Sequence, residues 1–157
     1  MHLYLQEDLI RLQAGQTTDI SLPLSLSSLL EAGLRHFPPS EQALEQAIAA
    51  TEDALMPWIP ALRMDPLDLL ESSDPVLALL PGVLAYPHQA ICELDIEEVE
   101  RAFNQLAQVA AGMPAKSLDI PERPDFVAAL VVVRELMHHV GWQQLQLLEV
   151  GMVGVEN

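Results

Sequence analysis

The stretch LYLQEDLIRLQAGQTTDISLPL, residues 3–24, decides how the fold of this chain begins. Apolar and polar residues alternate within its short runs, as they do in strands that bury one face. Gly15 lies in a polar group between two of these runs, and glycine accepts the positive φ that tight hairpin turns need. The stretch therefore predicts a hairpin or meander of strands, the last of them running from Asp19 to Leu24.

About four helices are predicted after this opening, from apolar residues at helical spacing behind recognisable start signals. Ser40 is a natural N-cap, Asp95 begins a capping-box pattern, and Pro124 suits a first helical position. The helix that follows Ser40 is expected to end at Pro57 and Pro60. The predicted helices are one from Ser25 to Arg35 and three that begin near Ser40, Asp95 and Pro124.

The remaining segments predict how the chain is completed. Residues 60–90 contain prolines at regular intervals, and within this irregular part Val76 to Leu80 reads either as a buried strand or as one turn of helix. A last strand is expected from Leu145 to Val150. Strands first, then alternating strands and helices, predict a single α/β domain over residues 1–157, with a mixed sheet covered by helices.

The charge of the chain restricts its partners. Seven Lys and Arg stand against 23 Asp and Glu, which gives a net charge of −16. Such a surface repels the phosphates of nucleic acid, and for the same reason anionic lipid and polyphosphate are not expected as ligands. A basic protein partner remains open, although a high charge of this kind also serves solubility alone.

The sequence contains few features that would indicate targeting to a membrane, secretion or cysteine chemistry. The strongest apolar run, residues 126–133, is far shorter than the roughly 20 residues that span a bilayer. The N-terminus meets acidic residues too early for a signal peptide, so a cytoplasmic location is expected. Cys92 is the single cysteine, which excludes an internal disulfide framework and a cysteine-based zinc site. It has no basic neighbour in sequence and is expected to be a core thiol.

Three stretches of the chain resemble the second domain of the exopolyphosphatase/guanosine-pentaphosphatase family, part of the actin-like ATPase superfamily. Residues 21–24, followed by a short helix and then by residues 36–41 (HFPPSE), are similar to the strand–helix–"DPP"–helix passage of the family. The helix over residues 94–113 and the loop at residues 120–125 (IPERPD) resemble the family's helix and its "PERAD" loop. The resemblance covers most of the chain and implies a ribonuclease-H-like or actin-like mixed sheet that opens with a β-meander.

The chain departs from this family where the family binds phosphate. The family's "DIGGGSTE" turn falls on residues 1–8, which contain no glycine, and the only glycine between Trp58 and Leu94, where its second glycine-rich turn belongs, is Gly82. A phosphate loop needs glycine because several backbone N–H groups must approach the anion closely. The family's first domain, which supplies its catalytic carboxylate, is also missing from the chain. A degenerate domain without a catalytic site or a cofactor is therefore expected.

Candidate chemical groups remain, and for each the structural explanation is stronger. Asp8 is the weak candidate for a metal-binding or water-positioning residue, with Glu7 beside it and Asp19 as a conceivable second carboxylate, but a solvated turn explains it as well. The adjacent His138 and His139 point about 100° apart on a helix, so they cannot share one ion, although Glu135 could add a ligand to His139. The serines near His36 lack the G-x-S-x-G elbow of a hydrolase.

The sequence thus predicts a non-catalytic protein-interaction or regulatory module derived from a phosphatase-family domain. The alternative is a phosphatase- or nucleotide-binding-type protein that a partner chain completes. Self-association is a further expectation, because the surface that a first domain would cover is expected to be apolar. The surface predicted to contact a partner consists of Pro57, Trp58, Pro60, Pro81, Gly82, Tyr86 and Pro87.

Overall fold

The predicted meander forms one half of a six-stranded sheet. The computed structural model describes residues 1–6 and 8–149, and in it strands β1 (His2–Gln6), β2 (Leu9–Ala14) and β3 (Thr18–Leu22) pair antiparallel in sequence order. Gly15 has a φ of 58° in the turn between β2 and β3, as the sequence predicted. Every second side chain of these strands is buried, Leu3, Ile10 and Ile20 among them, so one face of the meander packs on the core.

The other half of the sheet contains the parallel strands. β4 (Leu69–Ser72) pairs parallel with β1 and with β6 (Gln144–Leu148), while β5 (Ile91–Asp95) closes the edge antiparallel to β6. The strand order is β3-β2-β1-β4-β6-β5. This is a mixed sheet of the ribonuclease-H-like or actin-like type, and it confirms the predicted fold class. The predicted last strand is confirmed up to Leu148, and Val150 lies outside the described residues.

Three long helices and three short ones accompany the sheet. The predicted start signals are confirmed: the Ser40 side chain accepts from Ala43 N, Asp95 forms a capping box with Glu98, and Pro124 is the first helical residue of its helix, which Gly141 ends with a φ of 97°. The helices are α1 (Leu26–Leu29), continued by a π-helical turn over Leu30–Leu34, α2 (Glu41–Leu55), α3 (Ile59–Leu62), α4 (Leu80–Val83), α5 (Ile96–Ala110) and α6 (Pro124–Val140).

Two predictions in the middle of the chain were wrong in detail. Helix α2 ends at Leu55, just before Pro57 as predicted, but the chain stays helical beyond it: a 3-10 turn (Met56–Trp58) and α3 follow directly, because both prolines occupy first-turn positions that need no N–H donor. Residues 60–90 are also more regular than expected, since they contain β4. Of the two readings of Val76 to Leu80, the helical one holds, as a 3-10 helix over Pro75–Leu79 with Asp74 as its N-cap.

The layers of the fold leave one side of the sheet open. Helix α6 packs against α2 and α5, and most of its residues, including Phe126 and Leu130, are completely buried, as predicted. The opposite sheet face carries half-exposed polar side chains such as Tyr4, Arg11 and Glu71, which is usual for a solvated face. Among the described residues no helix has the length and apolar character to cross a membrane.

Candidate functional site

The carboxyl ends of the parallel strands meet at one end of the sheet. In open α/β sheets, ligands bind in the crevice beyond such ends. β1, β4 and β6 all run toward this end, and the residues that follow them are the exposed turn residue Asp8, the pair Ser73 and Asp74, and Glu149. We call this the carboxyl end of the sheet. Glu7, which the sequence paired with Asp8, lies outside the described residues.

The turn after β4 is held together by side-chain oxygens. The Ser72 hydroxyl donates to Leu3 O at 3.0 Å and accepts from Asp74 N at 3.2 Å. The Asp74 carboxylate accepts from Val76 N at 3.0 Å and so caps the 3-10 helix. The N–H groups of Asp74 and Val76 are therefore used internally and are not free to bind an anion.

Gly82 does not occupy the strand end at which a phosphate turn belongs. It lies within α4, and the residues that directly follow β4 are Ser73 and Asp74. That residues around Gly82 replace the family's second glycine-rich turn stays a prediction. The sequence reasoning missed Asp74, although Asp followed by Pro75 is a recognisable helix-start pattern.

The electrostatics of the carboxyl end also disfavour an anion. Burial raises the pKa of Asp74, and the charge of Asp125 raises it further, against the lowering effect of the bond from Val76 N. Arg123 is the nearby cation, and its guanidinium is bound to Asp125, with contacts of 3.1 and 2.6 Å. A phosphate placed here would meet carboxylates first.

A cleft lies beside this turn. It has a volume of about 250 Å³ and is lined by Ser72, Asp74, Tyr86 and Leu148, with Pro81 and Gly82 at its side. Cys92 also lines it, is buried as expected, and has a pKa raised by burial and by the charges of Glu98 and Glu93. The thiol of Cys92 therefore stays protonated and is a poor nucleophile. In the same cleft the Tyr86 hydroxyl donates to Glu98.

The residues of the predicted partner surface fall into two groups at opposite ends of the sheet. Pro81, Gly82 and Tyr86 line the cleft at the carboxyl end. Pro57 and Trp58 lie in the 3-10 turn before α3, and Pro60 lies in α3 itself. The segment after α3 lines a cavity together with the first residue of the chain and the turn between β2 and β3. The structure therefore divides the predicted surface in two and does not bring its parts together.

A cluster of ionisable side chains on α2 and α6 was only partly visible in the sequence. His139 Nε2 lies 3.3 Å from Glu135 Oε1 and 3.5 Å from Glu52 Oε1, while His138 points to solvent. Arg134 holds the other oxygen of Glu135 at 2.9 Å. The sequence offered Glu135 and His139 as a helical pair. Nothing in it indicated Glu52, because that contact depends on how α2 packs on α6.

The pKa of Glu135 reflects this surrounding. Burial raises the pKa of this carboxyl, the Arg134 guanidinium opposes that effect, and the neighbouring Glu52 carboxyl raises the pKa again. Arg134 is bound in turn by Glu100 at 3.1 Å and lies over the Phe103 ring. The cluster therefore concentrates negative charge around one largely buried carboxylate.

Comparisons with known proteins identify the fold. No protein-family model and no curated protein matches the sequence. Among solved structures, the type II variant of the Aquifex aeolicus Ppx/GppA phosphatase matches with a TM-score of 0.71 and 15% identity, over 95% of this chain and 52% of that one. An exopolyphosphatase-like protein gives a TM-score of 0.70 at 13% identity, over 94% of this chain and 55% of that one. An exopolyphosphatase from Cytophaga hutchinsonii gives 0.66 at 14%, over 94% and 52%.

These matches bear on the resemblance read from the sequence. At such low identity they show the fold alone, and the chain spans about half the length of the structures that it matches. A half-length match fits a relative of the second domain, as the motifs predicted. The chain has the fold of one half of a Ppx/GppA exopolyphosphatase-type phosphatase.

Proposed function

We propose that this chain is a non-catalytic interaction module that binds a basic partner protein through the apolar surface of residues 56–67. The single observation that carries the proposal is a concentration of large apolar side chains exposed to solvent in this short segment. Met56 is 57% exposed, Trp58 37%, Met64 81% and Leu67 61%. Large apolar side chains that form one exposed patch mark interaction sites, and we propose that these four, which lie within twelve residues of sequence, form such a patch. Trp is also enriched among the residues that dominate binding energy.

The charge around this surface indicates the chemistry of the partner. Asp53 precedes the surface and Asp68 follows it, both exposed, and Glu52 is partly exposed at its edge. Arg63 is the one cation within the segment, and its guanidinium donates to His139 O at 2.7 Å. An apolar centre with an acidic rim fits a partner that offers apolar anchors surrounded by Lys and Arg. A second copy of this chain, with the same net charge of −16, fits less well.

The absence of catalysis is proposed from the carboxyl end of the sheet. In the turn after β4 the N–H groups of Asp74 and Val76 are bound by side-chain oxygens of the turn, and the carboxylates of Asp74 and Asp125 lie near one another there. Hydrolysis of a phosphoanhydride needs donors and cations that stabilise the phosphoryl oxygens. This arrangement supports a module in which the fold persists and the phosphate chemistry is lost.

Site-specific photo-crosslinking tests the proposed surface. A photoreactive residue at Met64 should capture one partner in the cells of origin, whereas the same residue at Met113, another exposed methionine that lies after α5, should not. With the purified partner, Trp58→Asp and Met64→Asp should each weaken binding at least about tenfold, because a buried anchor is worth more than about 1.4 kcal/mol. Met113→Asp is the matched control and should bind normally.

The outcomes separate the possible occupants of the surface. Equal weakening by Met113→Asp and Met64→Asp would contradict the assignment to residues 56–67. A crosslink at Met64 to a second copy, with dimers in sedimentation, would replace the basic partner by the self-association expected from the sequence. Binding to the basic partner should also weaken as the salt concentration rises, because the acidic rim is exposed.

The alternative function is a phosphatase- or nucleotide-binding-type protein completed by another chain, and the half-length match to phosphatase structures favours it. ATP, guanosine tetraphosphate and polyphosphate at millimolar concentration distinguish it from the interaction module. The module predicts an unchanged melting temperature with all three. A ligand present at 100 times its Kd adds about 2.7 kcal/mol, so a rise of several degrees would support the alternative.

A further inference from the structure

Three side chains of types that can bind a metal ion come from two helices and converge beside the 56–67 surface. Glu52 comes from the last turn of α2, and Glu135 and His139 come from successive turns of α6. One ligand atom from each lies within 4.8 Å of the other two. This convergence joins elements that are distant in sequence, and it differs from a run of acidic residues on a solvated face because it includes a histidine and a carboxylate that is only 1% exposed.

The distances suit a metal ion. Zinc binds histidine nitrogen at about 2.0–2.1 Å and carboxylate oxygen at about 2.0–2.2 Å, so two ligand atoms at a tetrahedral centre lie about 3.4 Å apart. His139 Nε2 lies 3.3 Å from Glu135 Oε1 and 3.5 Å from Glu52 Oε1. Two of the three separations thus match those of a tetrahedral ion, and the third, between the Glu52 and Glu135 oxygens, is within 4.8 Å.

The charges around the cluster call for a cation. Glu52, Glu100 and Glu135 supply three carboxylates, and Arg134 supplies the one guanidinium that contacts them among the described residues. Three carboxylates thus face one guanidinium, and a divalent ion beside Glu52 and Glu135 would offset the excess negative charge. Arg134 also fixes the second oxygen of Glu135, which leaves Oε1 directed at His139 and Glu52. Outer partners of this kind orient metal ligands.

We propose that Glu52, Glu135 and His139 bind a divalent transition-metal ion of the zinc class, which joins helix α2 to helix α6. One nitrogen and two carboxylate oxygens form a ligand set suited to Zn²⁺ and, less tightly, to Mn²⁺ or Co²⁺. The side chains of Glu52 and His139 are 42% and 24% exposed, so the ion can enter from solvent and keep a water molecule at its open position.

Metal titration of the full, untagged chain tests the site. After treatment with chelator, the protein should bind one Zn²⁺ with a Kd in the micromolar range, and its melting temperature should rise by about 5 to 10 °C at 100 times that Kd. Co²⁺ at the same site should give the visible absorption bands of a low-symmetry centre. Both readouts are independent of any activity and of the proposed partner.

Two ligand variants and one control complete the design. His139→Gln and Glu52→Gln should each lower the affinity for Zn²⁺ at least tenfold and abolish the Co²⁺ bands. Glu52 is the safer test of the two, because it is the most exposed ligand and its replacement leaves the buried pair intact. His138→Gln is the matched control: His138 is adjacent to His139 and exposed, its ring meets the His139 ring edge-on at 5.1 Å between centroids, and it is not one of the three converging ligands, so this variant should bind Zn²⁺ as the wild type does.

Either of two results would overturn the proposal. The first is a melting temperature that does not respond to millimolar Zn²⁺, Mn²⁺ or Co²⁺, which would leave the cluster as an ion-pair network. The second is binding that His138→Gln weakens as much as Glu52→Gln and His139→Gln do, which would indicate adventitious binding by surface histidines.

Discussion

The exchange of Asp74 gives a sharp test of how the carboxyl end of the sheet is built. Asp74→Asn keeps an acceptor for Val76 N, which the wild-type carboxylate binds at 3.0 Å, whereas Asp74→Ala removes it. Asn and Asp are about equal as N-caps, and loss of a cap costs about 1 kcal/mol. Asp74→Asn should therefore be more stable than Asp74→Ala by about 1 kcal/mol, measured by urea unfolding at pH 5 to 8.

The pH dependence of the same pair tests the charge. Burial raises the pKa of Asp74, so the folded chain binds this proton more tightly than the unfolded chain. The ionised side chain then destabilises the fold at pH values above the raised folded pKa. That cost is lost as the pH falls through the folded pKa toward the unfolded value of about 3.9.

The stability gained by Asp74→Asn over the wild type should therefore be greatest near neutral pH and should shrink on acidification. Asp53→Asn is the control, an exposed exchange on α2 that should change stability by less than about 0.5 kcal/mol. The reasoning is refuted if Asp74→Asn is no more stable than Asp74→Ala, or if its advantage over the wild type grows as the pH is lowered.

Three further exchanges test the scaffold by urea unfolding. Leu130→Ala opens a cavity at a completely buried position of α6 and should lower the free energy of unfolding by about 2 to 5 kcal/mol. A smaller loss would mean that neighbouring side chains move in to fill the cavity. Asp95→Ala removes the capping box of α5 and should lower the free energy of unfolding by about 1 kcal/mol. Asp95→Asn, which keeps an N-cap acceptor, should retain most of that stability. Gly141→Ala has free space around its new Cβ but must adopt a φ of 97°, so a cost of about 1 to 2 kcal/mol is expected from the backbone alone, and an unchanged stability would contradict this account.

The parts of the fold that the sequence predicted are those with local causes. The alternation in residues 3–24 and the positive φ of Gly15 depend on neighbouring residues, as do the caps at Ser40 and Asp95. Strand β4 was missed because four residues between prolines are too few to show a period. Strand β5 was missed because Asp95 is both its last residue and the N-cap of α5, so no turn residue separates the two elements.

The candidate sites were predicted less well because they depend on long-range contacts. The sequence shows that residues 1–8 contain no glycine, whereas the residues that follow β4 could be identified only once the boundaries of that strand were known. Glu135 and His139 form a local pair at helical spacing, whereas Glu52 joins them only through the packing of α2 against α6. Of the 56–67 segment, the sequence offered Pro57, Trp58 and Pro60 as part of a surface that also included residues 81–87, while the exposure of Met64 and Leu67 needed the structure.

The two ends of the sheet differ in how far their exposed groups find partners within the chain. At the carboxyl end, Asp74 satisfies the N–H of Val76 that a phosphate would need, so the turn is stabilised without any ligand. At the opposite end, the side chains of residues 56–67 remain exposed, and they gain stability only when a partner covers them. Residues 56–67 carry four of the large apolar side chains that are exposed among the described residues, and this concentration is the reason why we expect a partner to bind there.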